Sequence, residues 1–329
     1  MPRTMRLLVA FTAILCIVCL FGCRREPVEQ DELSQDAPVY LNMNTEYPLV
    51  DSLPDGQGKH IKVILLLGQS NATGCSINQY LQQSIDEQQY LKYQSGFESV
   101  LINYCLDDHN ATSEGAFVKV DLTCGATNGF FGPEVGMAEV LSATYPDEMI
   151  LIVKYTMSGY SLHHHWLRQG QRGSIYDAFL SFTKLHMNYL LDKNYDARIG
   201  AICWMQGESD TTDFKASHYY DNQTAFVSYL REDLAPYAEE GGIYFIDAGI
   251  SNSPYCEPAY PTINEAKQRF AADSLQNLYF STIDAGFTVH MEPVGDPDWG
   301  HYDALSELRL GQMFGQYIVQ SYQMRESGE

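Results

Sequence analysis

Lys62-Val-Ile-Leu-Leu-Leu-Gly-Gln-Ser-Asn71 decides how the rest of this chain is read, because a continuous apolar run ends there at a small polar turn. Val63 to Leu67 is apolar at every position rather than at alternate ones, the pattern of a strand buried on both faces in the middle of a parallel sheet. Sheets of that kind place chemistry at the carboxyl ends of their strands. Gly68 lets the backbone turn without a side-chain clash, which presents Ser70 and Asn71 at the sheet edge with free backbone N–H groups. Ser70 is therefore a candidate nucleophile. An ordinary strand and turn fit this stretch equally well, and the downstream sequence decides between the two.

Downstream, apolar strands alternate with amphipathic helices. A Gln-rich helix is expected over Asn78 to Tyr93, then strands at Val100 to Cys105 and Ala116 to Leu122 around a polar loop. Phe131-Gly-Pro-Glu134 opens a helix to about Tyr145: Pro133 suits its first turn and Glu134 the positive end of its dipole. Further strands are expected at Met149–Lys154, Arg198–Trp204, Gly242–Ala248 and Leu278–Ile283. Helices are expected near Asp177–Asp192, Tyr219–Tyr237, Ile263–Gln276 and Ala304–Tyr322. Such alternation implies a three-layer α/β/α sandwich with a mainly parallel, doubly wound sheet of flavodoxin-like type.

Upstream, Arg3 and Arg6 precede an apolar stretch from Leu7 to Phe21, the pattern of a secretory signal over residues 1–22. Gly22-Cys23 resembles the lipobox of bacterial lipoproteins, whose cysteine is lipidated. Phe21 departs from that pattern, so simple cleavage and an uncleaved anchor stay open. Residues 23–40 are polar and acid-rich, a tether between lipid and a domain spanning 41–329. The expectation is an exported protein of the bacterial cell envelope, an outer-membrane lipoprotein held by its lipid anchor alone.

The chain carries 42 acidic against 20 basic residues, a formal charge of −22. That balance disfavours nucleic acid and other polyanions as partners, since binding them needs clustered Lys and Arg. Of the eight cysteines, Cys75, Cys105, Cys124, Cys203 and Cys256 lie beyond the signal. An odd count leaves at least one free thiol, Cys203 sits in an apolar run, and Cys105 with Cys124 is a possible loop closure.

Two stretches give Ser70 a chemical setting. Trp204-Met-Gln-Gly-Glu-Ser-Asp210 follows an apolar strand just as the Ser70 turn does, and its amide and carboxylates are costly in a core but useful at a strand end. Asp298-Trp-Gly-His301 precedes the last helix, and its spacing lets the carboxylate accept the imidazole N–H while the other nitrogen reaches a hydroxyl. Ala72 breaks the Gly-x-Ser-x-Gly elbow of ordinary α/β-hydrolases, which also draw Asp and His from separate loops.

With Gly68-Gln-Ser-Asn71, Phe131-Gly-Pro-Glu134, Lys154 followed by Ser158-Gly-Tyr-Ser-Leu162, and the two stretches above, the chain resembles the SGNH-hydrolase superfamily. Within it the nearest pattern is the sialate O-acetylesterase-like branch that includes carbohydrate esterase family 6. The resemblance implies Ser70 as nucleophile, His301 as general base and Asp298 as the residue orienting it. It implies an oxyanion hole of the Ser70 and Gly132 backbone N–H groups with the Gln206 side-chain amide. The implied reaction is deacetylation of sialic acid or a polysaccharide such as xylan through an acetyl-enzyme, with no metal or organic cofactor.

Other residues stay open on sequence alone. Gln69, Asn71 and Glu208 are supporting candidates, Glu208 either holding the Gln206 loop or replacing Asp298 beside His301. Asp210 reads as a turn or cap residue. His163-His164-His165, taken as an extended segment, would point to alternating faces, which suits sugar contact better than metal binding. Trp166 and Trp299 are candidates for stacking on sugars. The rival functions are a surface glycan-binding lipoprotein that has lost turnover, and an esterase or transferase acting on cell-wall or lipid acyl groups.

Overall fold

A computed structural model describes residues 40–327; the signal, Cys23 and the tether up to residue 39 lie outside the described residues. Six strands run parallel: β1 (His60–Gly68), β2 (Phe97–Leu106), β3 (Ile150–Thr156), β4 (Asp196–Met205), β5 (Tyr244–Ala248) and β6 (Asn277–Phe280). Their order across the sheet is β6-β5-β4-β1-β3-β2. Ala111–Thr112 and Val118–Val120 add to β2 in antiparallel register and complete eight strands. Val63 to Leu67 are fully buried, as a strand with helices over both faces must be. Each such side chain contributes about 1.5–3 kcal/mol relative to exposure.

Neighbouring residues of β3 show how the two helical layers are held. Lys154 points to one face and pairs with Glu134 at the start of helix Glu134–Thr144. Tyr155 points to the other and packs on Phe179 and Phe182 of helix Ser174–Asp192. Alternation along a strand thus assigns the helices to opposite sides. On the Lys154 side, helix Glu134–Thr144 crosses Ala304–Ser327 at backbone contact. A Cβ at Gly311 would lie 1.9 Å from the Pro133 carbonyl and one at Gly136 2.1 Å from that of Leu308, so only glycine permits the crossing. Among the described residues no helix is long and apolar enough to cross a membrane.

Several elements differ from expectation. The helix expected over Asn78 to Tyr93 is two helices, Asn78–Ser84 and Glu87–Ser95. The Asp86 side chain accepts from Gln89 N at 2.9 Å and starts the second one as its N-cap. The three histidines are not extended: Leu162–Trp166 is a π-helical turn. Cys105 and Cys124 form no disulfide, and all five described cysteines are free.

Candidate active site

The site forms where the sheet order reverses. β1 lies between β3 and β4, and Gly68 is level with Thr156 on one side and Met205 on the other. Strand ends splay apart at such a switch point and leave a crevice. Gly68 has φ +146°, and a Cβ there would lie 2.0 Å from the Met205 carbonyl, so the turn into Ser70 requires glycine. Ser70 opens the short helix Ser70–Thr73, in which Ala72 N and Thr73 N both donate to the Gln69 carbonyl at 2.7 and 2.8 Å, whereas the N–H groups of the first two helical residues, Ser70 and Asn71, have no carbonyl within the helix to reach. Ser70 itself is almost buried.

Asp298 and His301 stand opposite on one surface loop. His301 Nδ1 meets Asp298 Oδ2 at 2.6 Å, and the second carboxylate oxygen accepts Gly300 N at 3.0 Å. Burial is the largest single influence and works against the charged Asp298, but the bond to His301, its charge and the Gly300 N–H together outweigh it and hold the carboxyl below its ordinary value. For His301, burial pulls the pKa down, while Cys75 and Asp298 together leave it well above the ordinary imidazole value. Glu208 does not touch His301. Among the described residues no hydrogen bond joins Ser70 Oγ to His301 Nε2, a contact that in ligand-free enzymes is often long and tightens with substrate.

Asn71 joins the turn to the loop. Its Oδ1 accepts Tyr302 N at 3.1 Å, and its Nδ2 donates to the Gly300 carbonyl at 3.2 Å and to Glu208 Oε1 at 2.7 Å. The two peptide groups flanking His301 are therefore both held by the residue after Ser70. Glu208 is buried with Oε2 unpartnered; burial pushes its pKa up and the Asn71 bond pulls it back.

The third wall is the end of β4. Gln69 Oε1 accepts Ser209 N at 3.1 Å and Gly207 N at 3.4 Å, fastening this segment to the Ser70 turn. Tyr219 OH donates to Gln206 Oε1 at 2.9 Å, and the Asp210 carboxylate, which can only accept, fixes the other end of the amide as nitrogen. Gln206 Nε2 then donates to Asp210 Oδ2 at 2.6 Å, while its other contact, the Tyr160 carbonyl, is long at 3.4 Å. One amide hydrogen is committed and the other is weakly held. Asp210 caps a segment remote in sequence rather than its own turn, accepting Leu162 N at 2.7 Å and His163 N at 3.1 Å.

Gly132, expected as an oxyanion donor, has an acceptor within the protein. Gly132 N donates to Glu134 Oε1 at 3.0 Å in a buried setting, so its single hydrogen is already used. Glu134 is fixed in turn by Lys154 Nζ at 2.6 Å, and that ammonium also donates to the carbonyls of Thr73 and Cys124. Burial pushes the Glu134 pKa up and Lys154 pulls it back. The Phe131–Glu134 stretch thus supports the underside of the Ser70 helix.

The remaining candidates separate by burial. Trp166 is a core residue packed on Trp204 and Phe226. Trp299 is exposed beside His301 and stacks on His290 with ring centroids 6.1 Å apart. His163 Nδ1 meets Asn222 Nδ2 at 2.8 Å, and His165 Nδ1 accepts Ser161 N at 3.0 Å. Among the described residues no group of three or more His, Cys, Asp or Glu side chains is placed to hold a metal ion. Sequence reasoning did not find the place of Cys75 beside His301 or of Tyr219 beneath Gln206. Cys75 immediately precedes Ser76, whose Oγ donates to the Tyr302 carbonyl at 2.6 Å, and this pairing has no local sequence signature.

A doubly wound sheet with a serine turn facing an Asp-x-x-His loop is the architecture of SGNH-type carboxylic-ester hydrolases. The chain belongs to the family described as carbohydrate esterase, sialic acid-specific acetylesterase, whose model matches residues 60–320. Its fold is similar to that of a protein from Arabidopsis thaliana, 18% identical, with 79% of this chain and 98% of that one covered and a TM-score of 0.57. It is likewise similar to NanS, 14% identical, with 83% and 99% covered and a TM-score of 0.54. No curated protein matches the chain in sequence.

Proposed function

We propose that this chain is a serine carbohydrate esterase that removes O-acetyl groups from sialic acid or from a polysaccharide such as xylan. The family supports an O-acetylated carbohydrate as substrate. The observation that carries the serine mechanism is the 2.6 Å Asp298–His301 bond on a loop tied by Asn71 to the Ser70 turn. Asp298 holds the imidazole with Nδ1 protonated, which leaves Nε2 as the proton acceptor. Ser70 Oγ attacks the acetyl carbonyl as His301 takes its proton. The imidazolium then gives that proton to the leaving sugar hydroxyl. Water attacks the acetyl-enzyme by the same route, releasing acetate and restoring Ser70.

The tetrahedral oxygen develops negative charge, and donors fixed beforehand stabilise it without reorganising. The Ser70 N–H fills this role together with the less tightly held hydrogen of Gln206 Nε2. No step needs a metal or organic cofactor. The N-terminal signal and Cys23 support an exported, lipid-tethered enzyme of the cell envelope, with its acidic surface set against nucleic acid as partner.

The test is acetate release from O-acetylated sialic acid, acetylated xylan and a small aryl acetate. Release from at least one sugar ester that disappears in Ser70→Ala supports the proposal. Wild-type release in that variant would overturn the mechanism, and a preference for long-chain esters would move the substrate to lipid.

A further inference from the structure

We propose that Asn71 is a positioning residue that sets the Ser70–His301 separation, with buried Glu208 as its anchor. The inference rests on the serine mechanism above and extends it to residues that do not touch the reacting atoms. His301 sits on a loop that the sheet does not reach, so the pleat and register that place Ser70 cannot place the base. The Asn71 side chain supplies the missing link. Its amide bonds the carbonyl before His301 and the N–H after it, at 3.2 and 3.1 Å. One bond on each side of His301 fixes both its height above the Ser70 turn and its rotation about the loop axis. A donor and an acceptor are both required, so the amide has one orientation only, and its remaining hydrogen goes to Glu208 Oε1 at 2.7 Å.

The side-chain oxygen and both amide hydrogens of Asn71 thereby have partners in a buried place. Glu208 follows β4, as Ser70 follows β1, so the anchor belongs to the sheet while the load belongs to the loop. This arrangement also gives Glu208 a task distinct from that of Asp298. Asp298 acts on the imidazole directly and needs its charge. Glu208 needs only an acceptor oxygen aimed at Asn71, which a glutamine also offers.

The experiment compares Asn71→Ala, Glu208→Gln, Glu208→Ala, Asp298→Asn and Ser70→Ala in steady-state hydrolysis of an aryl acetate and in the rate of labelling by a serine-directed phosphonate. Circular dichroism and melting curves confirm that each variant is folded. Asn71→Ala should lower kcat and the labelling rate on the order of 10²-fold with KM little changed, the cost of a misplacement of about 1 Å. The acid limb of its kcat/KM profile should shift less than that of Asp298→Asn, because the Asp298–His301 bond lies wholly within the loop. Glu208→Gln should stay within a few-fold of wild type, whereas Glu208→Ala should follow Asn71→Ala.

A folded Asn71→Ala enzyme with unchanged kcat and labelling rate would overturn the proposal. So would a Glu208→Gln enzyme as impaired as Asp298→Asn, since that would make the charge of Glu208 the catalytic feature. Should Asn71→Ala fail to fold, the contrast between the two Glu208 variants carries the test alone. Ser70→Ala separates the two levels: hydrolysis persisting in it refutes the serine mechanism itself, while its loss alongside an unaffected Asn71→Ala refutes only the positioning role.

Discussion

Two of the three walls of the site, the Ser70 turn and the His301 loop, are built by different means. The Ser70 turn is a product of the sheet: β1 is buried on both faces, its end is level with β3 and β4, and Gly68 has no room for a side chain. The His301 loop lies at the surface, with Trp299 45%, Met291 57% and Val294 80% exposed. It is held by side-chain hydrogen bonds: Asn71 on both sides of His301, Asp303 Oδ1 on Met291 N and Glu292 N, and Ser76 on the Tyr302 carbonyl. The nucleophile is placed by core packing and the base by polar contacts. Damage to the packing behind the first wall should therefore appear as lost stability, and damage to the bonds of the second as lost rate in a folded protein.

The largest effect should come from Ser70→Ala, which removes the nucleophile without changing the packing. The expected loss is on the order of 10⁶ in kcat, with melting unchanged. Asp298→Asn, on the loop, should cost about 10⁴ in kcat by presenting the wrong tautomer, again in a folded enzyme. Gln206→Ala should cost on the order of 10²–10³ if its second amide hydrogen meets the oxyanion, and an unchanged rate would assign that donor elsewhere. Gly68→Ala reverses the pattern: a clash with buried backbone at positive φ should destabilise by about 3 kcal/mol or more, read as a lower denaturation midpoint. A normal midpoint in that variant would break the comparison between the walls.

The smallest effect is one of pH. His301 must be neutral to take the Ser70 proton, and its pKa is raised, so activity should be lost as pH falls through that raised value. The acid limb of kcat/KM should lie above the ordinary imidazole value of 6.5. Cys75→Ala removes one of the groups that raise it and should move the limb to lower pH while leaving the plateau near wild type. A limb below 6.5 in the unaltered enzyme would contradict the electrostatic account.

What could be read from the sequence was what depends on near neighbours. Val63 to Leu67 declared a doubly buried strand because both faces meet helices, and the Asp298–His301 pair was legible because three residues suffice to bring its atoms together. The single helix expected over Asn78 to Tyr93 takes no account of Asp86, whose side chain caps the second of the two helices. Asn71 was named only as a supporting candidate, since its partners Gly300 and Tyr302 lie more than two hundred residues away. Gly132 shows another limit. Its motif was recognised, but the competing acceptor, Glu134, lay inside the same four residues, and only the Lys154 anchor shows why that carboxylate turns back on the Gly132 N–H.

The central claim is that Ser70 carries the acetyl group between the two half-reactions. The direct measurement is mass spectrometry of enzyme quenched in acid during turnover of an aryl acetate, with the peptide containing Ser70 isolated. An acetyl group on Ser70 that forms at the rate of the initial burst and is absent in Ser70→Ala is the predicted result. Acetate release at the wild-type rate with no acetyl group on that peptide would contradict it.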